Sequence, residues 1–197
     1  MIQPSTTLQS DNYIKYDCGL IGLGTMGRGL ARNLAESEHS LAVFDRNPDA
    51  MKDAVNRSAV AIGSLEELIA STDIIMTCLP SIQAIEAVYA TIVEHARPGL
   101  IACDFSTADP QTTREFASKL REKGADLVDC PMLRNYQAAW DATLQLLVGG
   151  HQSSIDRVRP KPWEKQPLAK SLIIIFVSLK TAARCAKLPA CKAQKVA

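Results

Sequence analysis

The segment that most limits what this chain can fold into runs from Cys18 to Asp45. A short apolar run, Cys18–Ile21, leads directly into Gly22-Leu23-Gly24-Thr25-Met26-Gly27. The stretch that follows, from Thr25 to Ser37, places Met26, Leu30 and Leu34 four residues apart on one helical face. A second apolar run, Leu41–Phe44, then closes on Asp45. Strand, glycine turn, helix, strand and carboxylate in this order predict a dinucleotide site. Gly22 permits the tight turn, Gly24 lets the backbone come close to a pyrophosphate, and Gly27 lets helix and strand pack. The helix N-terminus offers free N–H groups and the positive end of its dipole to the diphosphate. Asp45, 18 residues beyond Gly27, stands where a carboxylate accepts both hydroxyls of an adenosine ribose. No Gly-Lys-Ser/Thr follows the glycines, which weighs against an ATPase.

Asp45 favours NAD over NADP, because it repels a 2′-phosphate. Arg46 beside it has three open readings: stacking on adenine, pairing with a 2′-phosphate, or a solvated loop charge. The balance leans to NAD.

The alternation continues down the chain. Further strands are expected at Ala59–Ile62, Ile74–Leu79, Leu100–Asp104 and Asp126–Asp129. Ser64 with Glu67 forms a capping box opening a helix through Ala70, Ser81 caps a helix to about Ala96, and Pro110 suits the first turn of a helix through Lys123. These elements predict an α/β chain with a Rossmann-type, doubly wound and mostly parallel sheet over residues 16–150, preceded by a polar arm at 1–15. In such a sheet the ligand crevice lies beyond the carboxyl ends of the strands, so the residues after Ile21, Phe44, Leu79, Asp104 and Asp129 are the places to seek chemistry. Leu79 and Pro80 end a buried strand there, with proline offering an apolar surface and a fixed turn. Ser106 and Thr107 end the next and offer hydroxyls to a carboxylate or a nicotinamide amide, or alternatively cap the helix before Pro110.

The formal net charge of +1 hides a break. Residues 1–160 carry 14 basic and 20 acidic side chains, whereas 161–197 carry eight basic residues and one acidic residue. The acidic part argues against a nucleic-acid or polybasic membrane-surface protein. The tail at 151–197 is expected to be poorly ordered or partly helical. Its apolar run Leu172–Leu179 falls far short of the roughly 20 residues a membrane span needs. The six cysteines form no CxxC pair or Cys/His cluster, so reduced thiols and no metal site are expected. The first twelve residues lack an apolar signal core, which predicts a cytoplasmic protein.

The chain resembles the β-hydroxyacid dehydrogenases, the 3-hydroxyisobutyrate dehydrogenase-like enzymes related to the cofactor domain of 6-phosphogluconate dehydrogenase. The resemblance rests on Gly19-Leu20-Ile21 with the glycine turn, Ala31, Asn33 and Leu34, then Cys78-Leu79-Pro80, Asp104-Phe105-Ser106-Thr107 with Pro110, Asp129-Cys130-Pro131, Thr143-Leu144 and Val148-Gly149-Gly150. It implies reversible NAD(P)-linked oxidation of a short 3-hydroxy acid. Leu79, Pro80 and Thr107 would contact the cofactor, along with Gly22, Leu23, Gly24, Thr25, Met26, Gly27, Asp45 and Arg46. Ser106 would hold substrate.

Two departures qualify this. Where the family most often has a Ser-Gly-Gly loop, this chain has Leu133-Arg134-Asn135. Arg134 is either a two-pronged clamp for a substrate anion, with Asn135 beside it, or an exposed surface arginine. Beyond Gly150 the family continues into a helical domain whose Gly-x-Gly-x-x-x-Lys-x-x-Asn motif supplies the lysine acid/base. This chain has no glycine after Gly150, and none of its tail lysines matches that position. The family's dimer interface belongs largely to the same helical domain and is expected to be lost with it. Three readings follow: an oxidoreductase acting on a small hydroxy acid, a dinucleotide-binding remnant without turnover, and a frame-shifted product.

Overall fold

The computed structural model describes residues 15–158 and, as backbone, the strand 173–176. In chain order the elements are β1 (Cys18–Ile21), α1 (Thr25–Ala35), β2 (Leu41–Phe44), α2 (Pro48–Val55), β3 (Val60–Ala61), α3 (Leu65–Ser71), β4 (Ile74–Thr77) and α4 (Ile82–Glu94). They continue with β5 (Ile101–Asp104), α5 (Pro110–Glu122), β6 (Asp126–Asp129), β7 (Met132–Leu133), α6 (Tyr136–Trp140), β8 (Gln145–Val148), α7 (Gln152–Val158) and β9 (Ile173–Phe176).

Six strands form one parallel sheet in the order β3-β2-β1-β4-β5-β6. Strands β1, β4 and β5 are buried along their whole length, which is why they read as continuous apolar runs. Successive side chains point to opposite faces, so the sheet feeds two cores. Leu20, Val43, Met76 and Val128 pack against α1, α2 and α6 on one face. Ile75, Ala102 and Leu127 pack against α3, α4 and α5 on the other. The doubly wound architecture expected from the alternation is the one observed.

Several details differ from the sequence reading. The expected strand Ala59–Ile62 shortens to two exposed residues at the sheet edge, and Ile74–Leu79 ends at Thr77, leaving Cys78, Leu79 and Pro80 as a loop. Helix α2 was not expected, although Asn47 caps it through Asp49 N–H and Pro48 opens its first turn. Strands β7 and β8 pair antiparallel, and β8 is joined to the end of β6 through an Asp129–Gly149 bridge. The packed unit also continues past Gly150: Ile155 of α7 is buried, and Ser154 Oγ donates to Asp126 Oδ2 at 2.5 Å. Within the tail, Ile173–Phe176 is strand, parallel to β8; the rest of 159–197, like residues 1–14, lies outside the described residues.

Helices α1 and α6 touch at backbone distance. A Cβ on Gly29 would lie 2.7–2.9 Å from atoms of Ala139 and Trp140, so only glycine fits. Asn33 Nδ2 donates to the Ala139 carbonyl at 2.7 Å, and the Arg32 guanidinium lies 4.5 Å from the Trp140 ring centroid.

Candidate functional site

The turn after β1 is shaped by its glycines. Gly22 has φ +92°, and a Cβ there would meet the Cys78 carbonyl at 2.4 Å. A Cβ on Gly27 would meet the Gly22 carbonyl at 2.0 Å, so this close crossing of helix and strand requires glycine. Gly24 is different: nothing lies within 4 Å of a Cβ built on it, and its backbone faces open space. Helix α1 begins there with no side-chain cap and no acidic residue in its first turn. The N–H groups of that turn are therefore left to an anionic ligand.

A cleft of about 380 Å³ opens above this turn. Its lining brings together Gly22, Gly24, Thr25, Met26, Gly27, Asp45, Arg46, Leu79 and Pro80, all singled out from sequence. Leu23 is not among them: its side chain is buried, and its N–H donates to Asp45 Oδ2 at 2.6 Å. Asp45 Oδ1 accepts a second N–H, from Asn47 at 2.8 Å. Sequence reasoning missed Phe44, Cys78 and the α4 face formed by Ala84, Ala87 and Val88. The spacing of those three, with two small side chains facing outward, is the available signal for an apolar wall of the cleft. Burial and the nearby Asp104 carboxylate push the Cys78 thiol up to about 12, so it meets the cleft as a neutral thiol.

A buried polar chain supports the far side. The Tyr89 hydroxyl lies 3.2 Å from Thr77 Oγ1, which donates to Asp104 Oδ1 at 2.9 Å. The same oxygen accepts the Ser106 N–H, and Ser106 Oγ accepts the Leu79 N–H, each at 2.9 Å. Ser106 thus ties the loop after β5 to the loop after β4, and its side chain is 4% exposed. Thr107 is exposed at the carboxyl end of β5 and stands outside the cleft lining.

Arg134 and Asn135 also stand outside the cleft. Arg134 is exposed with φ +85°, a left-handed conformation that favours glycine. The Asn135 side chain accepts the Ala138 N–H at 3.2 Å and so caps α6. Leu133, Tyr136 and Trp140 are exposed around it. Among the described residues no group of three or more His, Cys, Asp or Glu could hold a metal, and no helix is long and apolar enough to cross a membrane.

The cleft fits a dinucleotide: an open glycine at the helix start, a fixed carboxylate at the end of β2 and an apolar wall on α4. Comparison with known proteins agrees. The family described as the NAD binding domain of 6-phosphogluconate dehydrogenase matches residues 17–161. The mitochondrial 3-hydroxyisobutyrate dehydrogenase of Homo sapiens is 34% identical over 139 residues, covering 69% of this chain and 41% of that protein. The NAD-dependent L-serine dehydrogenase of Pseudomonas aeruginosa is 31% identical over 143 residues, covering 71% of this chain and 48% of that protein. Among solved structures, Mycobacterium tuberculosis 3-hydroxyisobutyrate dehydrogenase with L-serine superposes with a TM-score of 0.75 at 27% identity, covering 88% of this chain and 58% of that one. The chain spans about half the length of the curated relatives it matches.

Proposed function

Because this chain belongs to the family of the NAD binding domain of 6-phosphogluconate dehydrogenase, we propose that it holds NAD, in preference to NADP, in the cleft above Gly22–Gly27, and that the reaction it serves is oxidation of a short 3-hydroxy acid. The observation that carries this reading is the open backbone at Gly24 and the fixed Asp45 carboxylate lining one cleft.

In this reading the first-turn N–H groups of α1 receive the diphosphate, and Asp45 accepts the ribose hydroxyls while disfavouring a 2′-phosphate. Arg46 covers the adenine side of the cleft. Leu79 and Pro80 bound the cleft on the other side, held by the Ser106 hydroxyl. When bound, the nicotinamide supplies a two-electron hydride acceptor or donor. Thr107, Arg134 and Asn135, at the carboxyl edge, are proposed to meet the nicotinamide end and the substrate acid. Free, buried Cys18, Cys103 and Cys130 support a reducing compartment, the cytoplasm in this reading.

A second reading, dinucleotide holding without turnover, is favoured by the glycine-free stretch after Gly150, where the lysine motif implied by the resemblance has no place. One series of measurements tests both. NADH and NADPH are titrated by fluorescence, and oxidation of 3-hydroxyisobutyrate, glycerate and threonate is then assayed. NADH binding at least tenfold tighter than NADPH is expected. Binding with turnover favours the first reading, and binding without it the second. A folded chain that binds neither nucleotide overturns both.

A further inference from the structure

A second cavity, of about 610 Å³, lies between α5 and β6 and shares no lining residue with the dinucleotide cleft. Its floor is apolar, with Ala117 from α5 and Leu127 from β6. Its charged lining is Asp109, Arg114, Arg121, Asp126 and Asp129, with His151 beside them; Asp109 is engaged as the cap of α5 and Asp126 with Ser154.

These charges divide into two groups. Arg121 is engaged: its Nε donates to the Ala117 carbonyl at 2.9 Å and its Nη1 donates to His151 Nε2 at 3.2 Å. His151 in turn places Nδ1 3.1 Å from Asp126 Oδ2. Asp129 and Arg114 are not engaged. Among the described residues neither side chain has a hydrogen-bond partner or an ion pair, with each other or with any other group. Asp129 shares the face of β6 that Leu127 presents to α5 and sits in register with Asp104. Burial, and then the Asp104 carboxylate, push its carboxyl up to about 6.

Register puts the two free charges at the same end of the cavity. Helix α5 starts from the carboxyl end of β5 and so runs back against the direction of β6. Arg114 stands one turn before Ala117, a rise of about 4.5 Å. Asp129 stands two residues beyond Leu127, about 6.6 Å along the strand. A half-buried carboxylate without a protein donor and an exposed guanidinium without a protein acceptor, among the described residues, thus border one apolar-floored space. A cavity with few convergent polar groups over an apolar floor is the usual form of a small-molecule site.

We propose that this cavity is a second binding site, for a compact zwitterion of the amino-acid class, with its ammonium on Asp129 and its carboxylate on Arg114. An acid alone leaves Asp129 without a donor, and an amine alone leaves Arg114 without an acceptor. A ligand carrying both charges meets the half-buried carboxylate and the exposed guanidinium at once, which neither single-charge ligand does.

The test is calorimetric titration of the full chain, with and without saturating NADH. Glycine, β-alanine and 4-aminobutyrate separate ammonium from carboxylate by increasing lengths, with isobutyrate and butylamine as single-charge controls. One zwitterion is expected to bind at least tenfold more tightly than either control. Asp129→Asn and Arg114→Ala should each weaken it about tenfold or more, the loss expected from removing a hydrogen bond to a charged group. Both variants should leave NADH affinity within twofold and the chain folded by circular dichroism. Controls that bind as tightly as the zwitterions overturn the proposal, as does displacement of the zwitterion by NADH. An absence of zwitterion binding up to 10-millimolar concentrations, roughly the weakest affinity such a site would have, overturns it equally. Because the titration is also run without dinucleotide, its outcome is independent of whether NADH binds.

Discussion

The Leu23 N–H donates to Asp45 Oδ2 at 2.6 Å, so the carboxylate at the end of β2 is held by the glycine turn that follows β1. With Asn47 N–H on the other oxygen, the side chain is fixed in place before any ligand arrives. In the proposed function, this preorganisation is the basis on which one carboxylate would discriminate between nucleotides. Asp45→Ala is therefore expected to weaken NADH binding about tenfold to a hundredfold, the usual loss when charge-assisted hydrogen bonds go. NADPH should lose less, because its 2′-phosphate escapes a repulsion. Paired fluorescence titrations read the ratio, and an unchanged ratio would remove Asp45 as the discriminating group.

Gly24 and Gly27 make opposite predictions. At Gly27 an added Cβ would meet the Gly22 carbonyl at 2.0 Å, so Gly27→Ala should destabilise the chain by about 1–3 kcal/mol through overpacking. At Gly24 an added Cβ meets nothing, so Gly24→Ala should cost less than about 1 kcal/mol as a cap substitution. It should nevertheless weaken NADH binding tenfold or more, because the methyl fills the approach of the diphosphate. Thermal unfolding and nucleotide titration of the two variants separate folding from binding.

Arg134 holds φ +85° with a full side chain. Left-handed backbone costs an L-residue about 1–2 kcal/mol, part of which a glycine gives back through its freer unfolded chain. Arg134→Gly should accordingly stabilise the chain by about 0.5–1 kcal/mol in urea unfolding. Arg134→Ala, which keeps the strain, should not.

Asp129 gives a pH prediction with a definite sign. Its folded carboxyl is raised from an ordinary 3.8 to about 6. Between those values the folded chain keeps a proton that the unfolded chain has released. Stability is therefore greatest at and below about pH 4 with respect to this group, and falls as pH rises through 6. Allowing for its partial exposure, ionised Asp129 costs about 1–2 kcal/mol at pH 7.5. Asp129→Asn should recover that amount at pH 7.5 and nothing at pH 4, as read by urea unfolding at the two values.

Legibility in the sequence tracked how far each feature depends on local chemistry. Strands β1 and β2 have their expected bounds to the residue because apolar runs bounded by turn formers have few alternatives, and β6 has them although two of its four residues are aspartates. The glycine turn and Asp45 were legible for the same reason. Helix α2 carries only a short local signal, Asn47-Pro48, within residues whose position after β2 also suits a ligand contact. The hairpin of β7 and β8 pairs only two residues of β7, too few for a pattern. The Ser106 hydroxyl oxygen accepts the Leu79 N–H, a partner 27 positions away that no local pattern announces, and its O–H is still able to donate. Asn135 and Leu23 are similar cases: one caps α6 and the other gives its N–H to Asp45. A side chain's type is written in the chain, but its partner is set by the fold.

The contact of Gly29 with Ala139 and Trp140 bears on how such a chain can diversify. The helix that begins at the diphosphate turn also carries α6, and through it the loop from Leu133 to Asn135, at backbone distance. The position of that loop is thus inherited from α1: Asn135 is tied to α6 as its cap, while the exposed Arg134 side chain has no hydrogen-bond partner among the described residues. The exposed side chains of Leu133 and Arg134 can therefore change one at a time while the spacing between this loop and the glycine turn is conserved by a buried glycine between two helices.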